Sequence, residues 1–176
     1  MTSGPQTLTP DLARSVRKWK IGHHAFHLQL IVMNSTLVEL QDRLENEDQQ
    51  QATTLLHRLA GLYDAATATM KYAADFSPQA YDDLIRPSMA PPMLSPGFSG
   101  TMNTDHSQMV GHLRTLRATV RRLKSRGALD GNTLSGVKRL WSAQSRNRRH
   151  HMLVCERFVP GGKSQLREFL DRQPTG

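Results

Sequence analysis

Between His23 and Leu44 one seam of mostly apolar residues falls at steps of three and four: His23, Phe26, Leu30, Met33, Leu37, Leu40 and Leu44. That step is the pitch of an α-helix, and it puts all seven on one face. The same spacing returns in three later segments. No segment alternates apolar and polar residues with a period of two for long enough to make a strand. A chain patterned this way must bury helix against helix, so the expected fold is an all-α bundle of about five to six helices.

The boundaries follow from capping chemistry. Thr9-Pro10-Asp11 offers an N-cap hydroxyl, a proline at the first helical position and an acid in the first turn. The first helix should run from there to about Glu45, with Gly22 as a weak point that can bend it. A second helix is expected from about Glu47 to Ala74, along Ala52, Leu55, Leu59, Leu62, Ala66 and Met70. Its run Ala65-Ala66-Thr67-Ala68 is small enough for a neighbour or a flat cofactor to come close. Ser77-Pro78 should restart a short helix to about Ile85.

The stretch from Arg86 to Gly100 holds four prolines and two glycines and is expected to be irregular. A loop of that length inside a compact domain is functional or disordered, and Met89, Met93, Leu94 and Phe98 argue that it packs on something. A fourth helix should begin near Thr104, with His106, Met109, Leu113, Leu116, Val120 and Leu123 inward. A fifth is expected from about Thr133 to Val159, with Leu134, Val137, Trp141, Met152 and Cys155 inward. Ser164 can cap a short last helix carrying Leu166, Phe169 and Leu170.

Composition narrows the function. The chain has 176 residues and a single cysteine, so it can close no disulfide of its own, which suits a reducing cytoplasm. No apolar run is long enough for a membrane span, and no basic-then-apolar leader opens the sequence. The net charge of +8 admits nucleic acid, an anionic ligand or a solvated surface. Arg114, Arg117, Arg121, Arg122 and Lys124 lie largely off the apolar seam of their helix. Aromatic residues are only 6%, too few for a base-stacking surface, so nucleic acid is disfavoured.

The chemical surplus is in the eight histidines. No Glu-x-x-His is present for a di-iron bundle, and no His-Glu-x-x-His for a zinc hydrolase. No Walker loop and no dinucleotide fingerprint occurs. What remains is a turn near the C-terminus: His151 and Cys155 stand four apart, and residues four apart share a helix face. An imidazole there can ligate a haem iron while the thiol lies near the edge of the same macrocycle. Arg148, Arg149 or Arg157 can meet the propionates, and His23, His27, His106 or His112 can face the distal side. Taken singly, each seam histidine reads as a hydrogen-bonded core residue. Free cysteines are commonly buried small hydrophobes, which is the plain reading of Cys155.

Three segments, in order, resemble the tryptophan 2,3-dioxygenase superfamily. His23-His24-Ala25-Phe26-His27-Leu28-Gln29 is similar to its distal motif, His-Gln-Ala-Tyr-Glu-Leu-Trp. Arg86 followed by Pro96-Gly97-Phe98-Ser99-Gly100 resembles its arginine and Ser-Gly-Phe-Gln-Ser loop. The helix from His151 through Glu156-Arg157 to Gly161-Gly162-Lys163-Ser164 resembles its proximal helix, which ends in a Gly-Gly-Ser loop. Phe26, His27 and Gln29 replace the Tyr, Glu and Trp of the distal motif, and Lys163 is inserted before Ser164. These departures argue against indole dioxygenation. His151 with Cys155 resembles instead the His-x-x-x-Cys haem attachment of the branch that hydroxylates tyrosine or 3-methyltyrosine in antibiotic biosynthesis.

The resemblance implies a single helical haem-binding domain over residues 9–172, with flexible ends at 1–8 and 173–176. His151 would be the iron ligand of haem b, with a covalent link through Cys155 left open, and Arg148 and Arg157 would assist. His23 would be the distal acid/base, with His27, His106 and His112 as alternatives. Arg86 would hold a substrate carboxylate as a bidentate pair. Phe98, Ser99 and Ser164 would line the pocket. An aromatic amino acid, peroxide or dioxygen as oxidant, a homo-oligomer and no membrane complete the expectation. A basic nucleic-acid-binding module and a non-catalytic haem carrier are the other readings.

Overall fold

The computed structural model describes residues 9–89, 93 and 103–159. Four long helices dominate: α1 (Pro10–Glu45), α2 (Gln49–Ala73), α5 (Thr104–Ser125) and α6 (Gly131–Phe158). Each begins on a side-chain oxygen that accepts a backbone N–H. Thr9 takes the N–H of Leu12, Asp48 that of Gln51, Asn103 that of His106 and Asp130 that of Thr133. The expected all-α bundle is what forms.

Between α2 and α5 the chain makes one helical passage: α3 (Pro78–Ala80), a π-helical turn (Tyr81–Ile85) and α4 (Arg86–Ser88). From the sequence this helix is expected to end at about Ile85, two residues before Pro87. The wider turn lets the helix continue. The Arg86 N–H donates to the Tyr81 carbonyl five residues back, and no N–H is asked of Pro87.

Hydrogen bonds between helices set their directions. Asn34 donates to the Asp105 carbonyl and Gln41 to Thr119 Oγ1, so α1 and α5 run parallel. Arg146 pairs with Asp64 and Asn147 donates to Thr67 Oγ1, while Gln49 donates to the Ala128 carbonyl, so α2 and α6 run parallel. α1 and α2 form an antiparallel hairpin through the turn at Asn46–Asp48, where Glu47 takes φ 57°. The four helices ring a core of Leu30, Met33, Leu37 and Leu40, Leu56 and Leu59, Leu113 and Leu116, and Leu140.

α1 is continuous through Gly22, from Pro10 to Glu45. The glycine's role is close approach. A Cβ built there would stand 2.3 Å from Ala73 Cβ and 2.8 Å from Ala73 Cα. The Ala66–Thr67 step of α2 is likewise covered by a neighbouring helix, with Asn147 of α6 on Thr67. The α5–α6 seam is looser than the others. It is bridged by Arg117, whose guanidinium lies 4.8 Å from the centre of the Trp141 ring and donates to Gln144 at 2.6 Å.

Candidate functional site

The topology brings most of the expected site residues to one end of the bundle. There the N-terminal half of α1, the C-terminus of α2, the Pro78–Ser88 passage, the start of α5 and the last turns of α6 meet. Two side chains, Arg157 and Phe158, tie α6 down at this end. Arg157 donates to the carbonyls of Ala74 and Phe76. Its guanidinium lies 5.2 Å from the Phe158 ring centre. Phe158 is buried against Phe76 and Tyr81, each 5.0 Å away between centroids. Arg157 therefore serves to anchor α6.

Just inside this anchor, Cys155 Sγ lies 3.7 Å from Nδ1 and 3.8 Å from Nε2 of His151. The near-equal distances set the sulfur against the imidazole ring. Burial lowers the His151 pKa, and the nearby charge of His106 lowers it further. Although the ring is open to solvent on one side, enough protein surrounds it to favour the neutral form, which is the ligating form of imidazole. Cys155 is exposed as a residue, but the protein beside its thiol partly desolvates it and raises its pKa, which keeps it protonated at neutral pH. The field of Cys155 also reaches Tyr81, whose hydroxyl is raised first by burial and lowered somewhat by Arg86. The charge of His106 thus reaches His151, and those of Cys155 and Arg86 reach Tyr81. Tyr81 went unnoticed in the sequence, where its only signal is its place five residues before Arg86.

The other histidines are placed elsewhere. His23 is half-buried on α1, with Nδ1 2.7 Å from the Trp19 carbonyl and its ring 4.6 Å from that of Trp19. Its pKa is lowered, chiefly by burial. His27 is exposed, with Nδ1 3.6 Å from an Asp105 carboxylate oxygen. His112 is six residues after His106, about 240° round the helix, on the α1-facing side with Asp105. Of the four candidate distal histidines, only His106 acts on His151. Arg148 lies on the α6 face that carries Trp141, His151 and Cys155, and it lines a cleft with Arg117, Arg121 and Lys124. Phe98, Ser99 and Ser164 lie outside the described residues, as does most of the loop that was to line the site.

Two expectations are corrected. Cys155 and Met152 are exposed, not interior, and no α6 residue between Ala143 and Phe158 is buried. Asn147 still meets Thr67 and Arg157 still meets Ala74, so α2 faces these turns, but Met152 and Cys155 lie on another side of α6 that no described helix covers. For the same reason the enclosed slot expected beside His151 is not built from the described residues. The open clefts along α6 centre on Trp141. Nor do three His, Cys, Asp or Glu side chains gather into a metal cage among the described residues. A haem needs only one protein ligand, and on that count the donor set fits: a neutral imidazole, a thiol against it and a guanidinium on the same helix face. These groups could stand on one side of a haem; the described residues do not supply the other side.

Residues 2–130 match the family described as SfmD 3-methyl-L-tyrosine peroxygenase. The chain belongs to this family. The matched span takes in α1, α2, the Pro78–Ser88 passage and α5, and with them His23, His27, Arg86, His106 and His112. It stops before His151 and Cys155. The chain is also 25% identical over 145 residues to a 3-methyl-L-tyrosine peroxygenase of Streptomyces lavendulae, an alignment covering 82% of this chain and 38% of that protein. The chain thus spans well under half the length of this relative. No solved structure matches. No helix among the chain's described residues is long and apolar enough to cross a membrane.

Proposed function

We propose that this protein contributes a histidine-ligated haem site to a peroxygenase that hydroxylates the ring of a tyrosine-type amino acid in specialised metabolism. The observation that carries the reading is the contact of His151 with Cys155 beside His106, at the end of a bundle whose first four-fifths carries the family's sequence. Haem b, when bound, supplies the oxidising chemistry. His151 would hold its iron, with the kinship to tryptophan 2,3-dioxygenases implied by the sequence motifs as the supporting analogy. Arg148 would meet a propionate, and Cys155 is placed to bond the macrocycle edge.

The chain's own residues would do the rest. His106 would move a proton, accepting it from hydrogen peroxide and returning it to the departing oxygen, the general acid–base work an imidazole can do. Arg86 would hold the substrate carboxylate by a charge-assisted pair, which presents the phenol ring at a fixed distance. Tyr81, raised by burial, would stay protonated and offer its hydroxyl to the same substrate. His23 remains the residue aligned with the family-like distal motif, but its contact with Trp19 turns one ring nitrogen to its own helix.

The test is turnover. Haem-loaded protein given hydrogen peroxide with L-tyrosine or 3-methyl-L-tyrosine should yield an amino acid one oxygen heavier with a catechol ring. Arg86→Ala should raise KM for the amino acid far more than for the matching phenol without a carboxylate. Absence of product from a panel of phenolic and indolic substrates would refute the activity.

A further inference from the structure

Opposite its core face, α1 carries a second apolar stripe. Ile21 is 48% exposed, Leu28 64%, Ile31 46% and Val38 53%. With His24 and Ser35 they complete a run at positions 21, 24, 28, 31, 35 and 38, alternating steps of three and four. That is the a/d pattern of a helix that pairs with another helix, and it lies roughly 160° round α1 from the core seam. Among the described residues nothing covers these four aliphatic side chains, and a cluster of that kind marks an interaction surface.

The stripe is palindromic in chemistry. Reflected about its midpoint between Gln29 and Leu30, Leu28 falls on Ile31, Ile21 on Val38 and His24 on Ser35. One step further out, Arg17 falls on Asp42, both exposed. The basic end of the seam is N-terminal and the acidic end is C-terminal. Two copies of α1 laid antiparallel therefore match apolar with apolar, imidazole with hydroxyl and cation with anion at every level. Laid parallel, they would set Arg17 on Arg17 and Asp42 on Asp42.

We infer that the outer face of α1 is the two-fold interface of a homodimer, with the second copy of this chain as its occupant and the α1 helices antiparallel. An isologous contact needs a self-complementary surface, and this face has the required symmetry in both shape class and charge. The site end of each bundle stays free, because it is formed from the opposite side of α1 and from α5 and α6.

Size-exclusion chromatography with light scattering, run on the intact chain, reads the state directly. The wild-type protein should be a dimer at tens of micromolar. Leu28→Glu with Ile31→Glu should give a monomer whose helical circular dichroism is unchanged, since both positions are already exposed. Arg17→Asp should weaken dimerisation about tenfold or more by setting like charges together, and adding Asp42→Arg to the same chain should restore it. A wild-type chain that is monomeric overturns the proposal, whatever other protein it captures. So does a dimer indifferent to the Glu pair, or an Arg17→Asp loss that Asp42→Arg fails to recover.

Discussion

Cys155 Sγ stands 3.7 Å from His151 Nδ1, so the chain's single thiol lies against the imidazole one turn before it. Two groups of unlike chemistry, both on a stretch of α6 that buries nothing, need a reason other than packing. A haem held by the imidazole and bonded by the thiol is such a reason. Cys155→Ser should keep the Soret band but make the haem extractable by acid–acetone. Wild-type haem that already extracts freely would rule out the covalent link while leaving the ligation intact.

His106 is the only candidate distal histidine whose charge is felt at His151. Removing that charge should raise the His151 pKa. An NMR titration of the His151 ring protons should show the increase in His106→Gln and no change in His112→Gln. Equal values in all three proteins would detach His106 from the site.

The helices were legible because their seams are regular and their caps are explicit. Thr9 and Ser77 each accept a backbone N–H at the helix starts their sequence context promises, whereas Asp130 caps α6 at Gly131, two residues before the expected start at Thr133. The reading failed where a pattern was extended past the core. Met152 and Cys155 continue the spacing of Val137 and Trp141, but a spacing says nothing about whether another helix lies opposite. The azimuths of His23, His27, His106 and His112 were equally hidden, since each depends on how two helices are rotated about one another. On α1 one seam was noticed and the outer one was not. A helix with two apolar faces looks in sequence like a helix with one broad face.

Gly22 marks where α1 touches the backbone of α2. Gly→Ala in an open helix gains roughly 1 kcal/mol of propensity. Here the new methyl would meet Ala73 Cα as well as Cβ, and overpacking costs about 1–3 kcal/mol. Gly22→Ala should therefore lower the urea midpoint, and Ala73→Gly in that background should recover part of the loss. A stabilised Gly22→Ala protein would contradict the packing.

His23 gives stability a pH dependence. Burial holds its folded pKa below the ordinary 6.5, so the unfolded chain takes up the proton first. Its contribution is fully present above about pH 6.5 and is lost as pH falls toward the folded value. Thermal unfolding between pH 7.5 and 5 should show Tm falling with pH in the wild type and a shallower fall in His23→Gln. Identical slopes would mean His23 is as solvated folded as unfolded.

The most direct measurement is an absorption spectrum of the protein reconstituted with haem, in three versions: wild type, His151→Ala and His150→Ala. With His151 as the iron ligand, the wild type and His150→Ala show the same Soret band, and His151→Ala loses it. A band that survives in His151→Ala, or a wild-type protein that takes up no haem, contradicts the account.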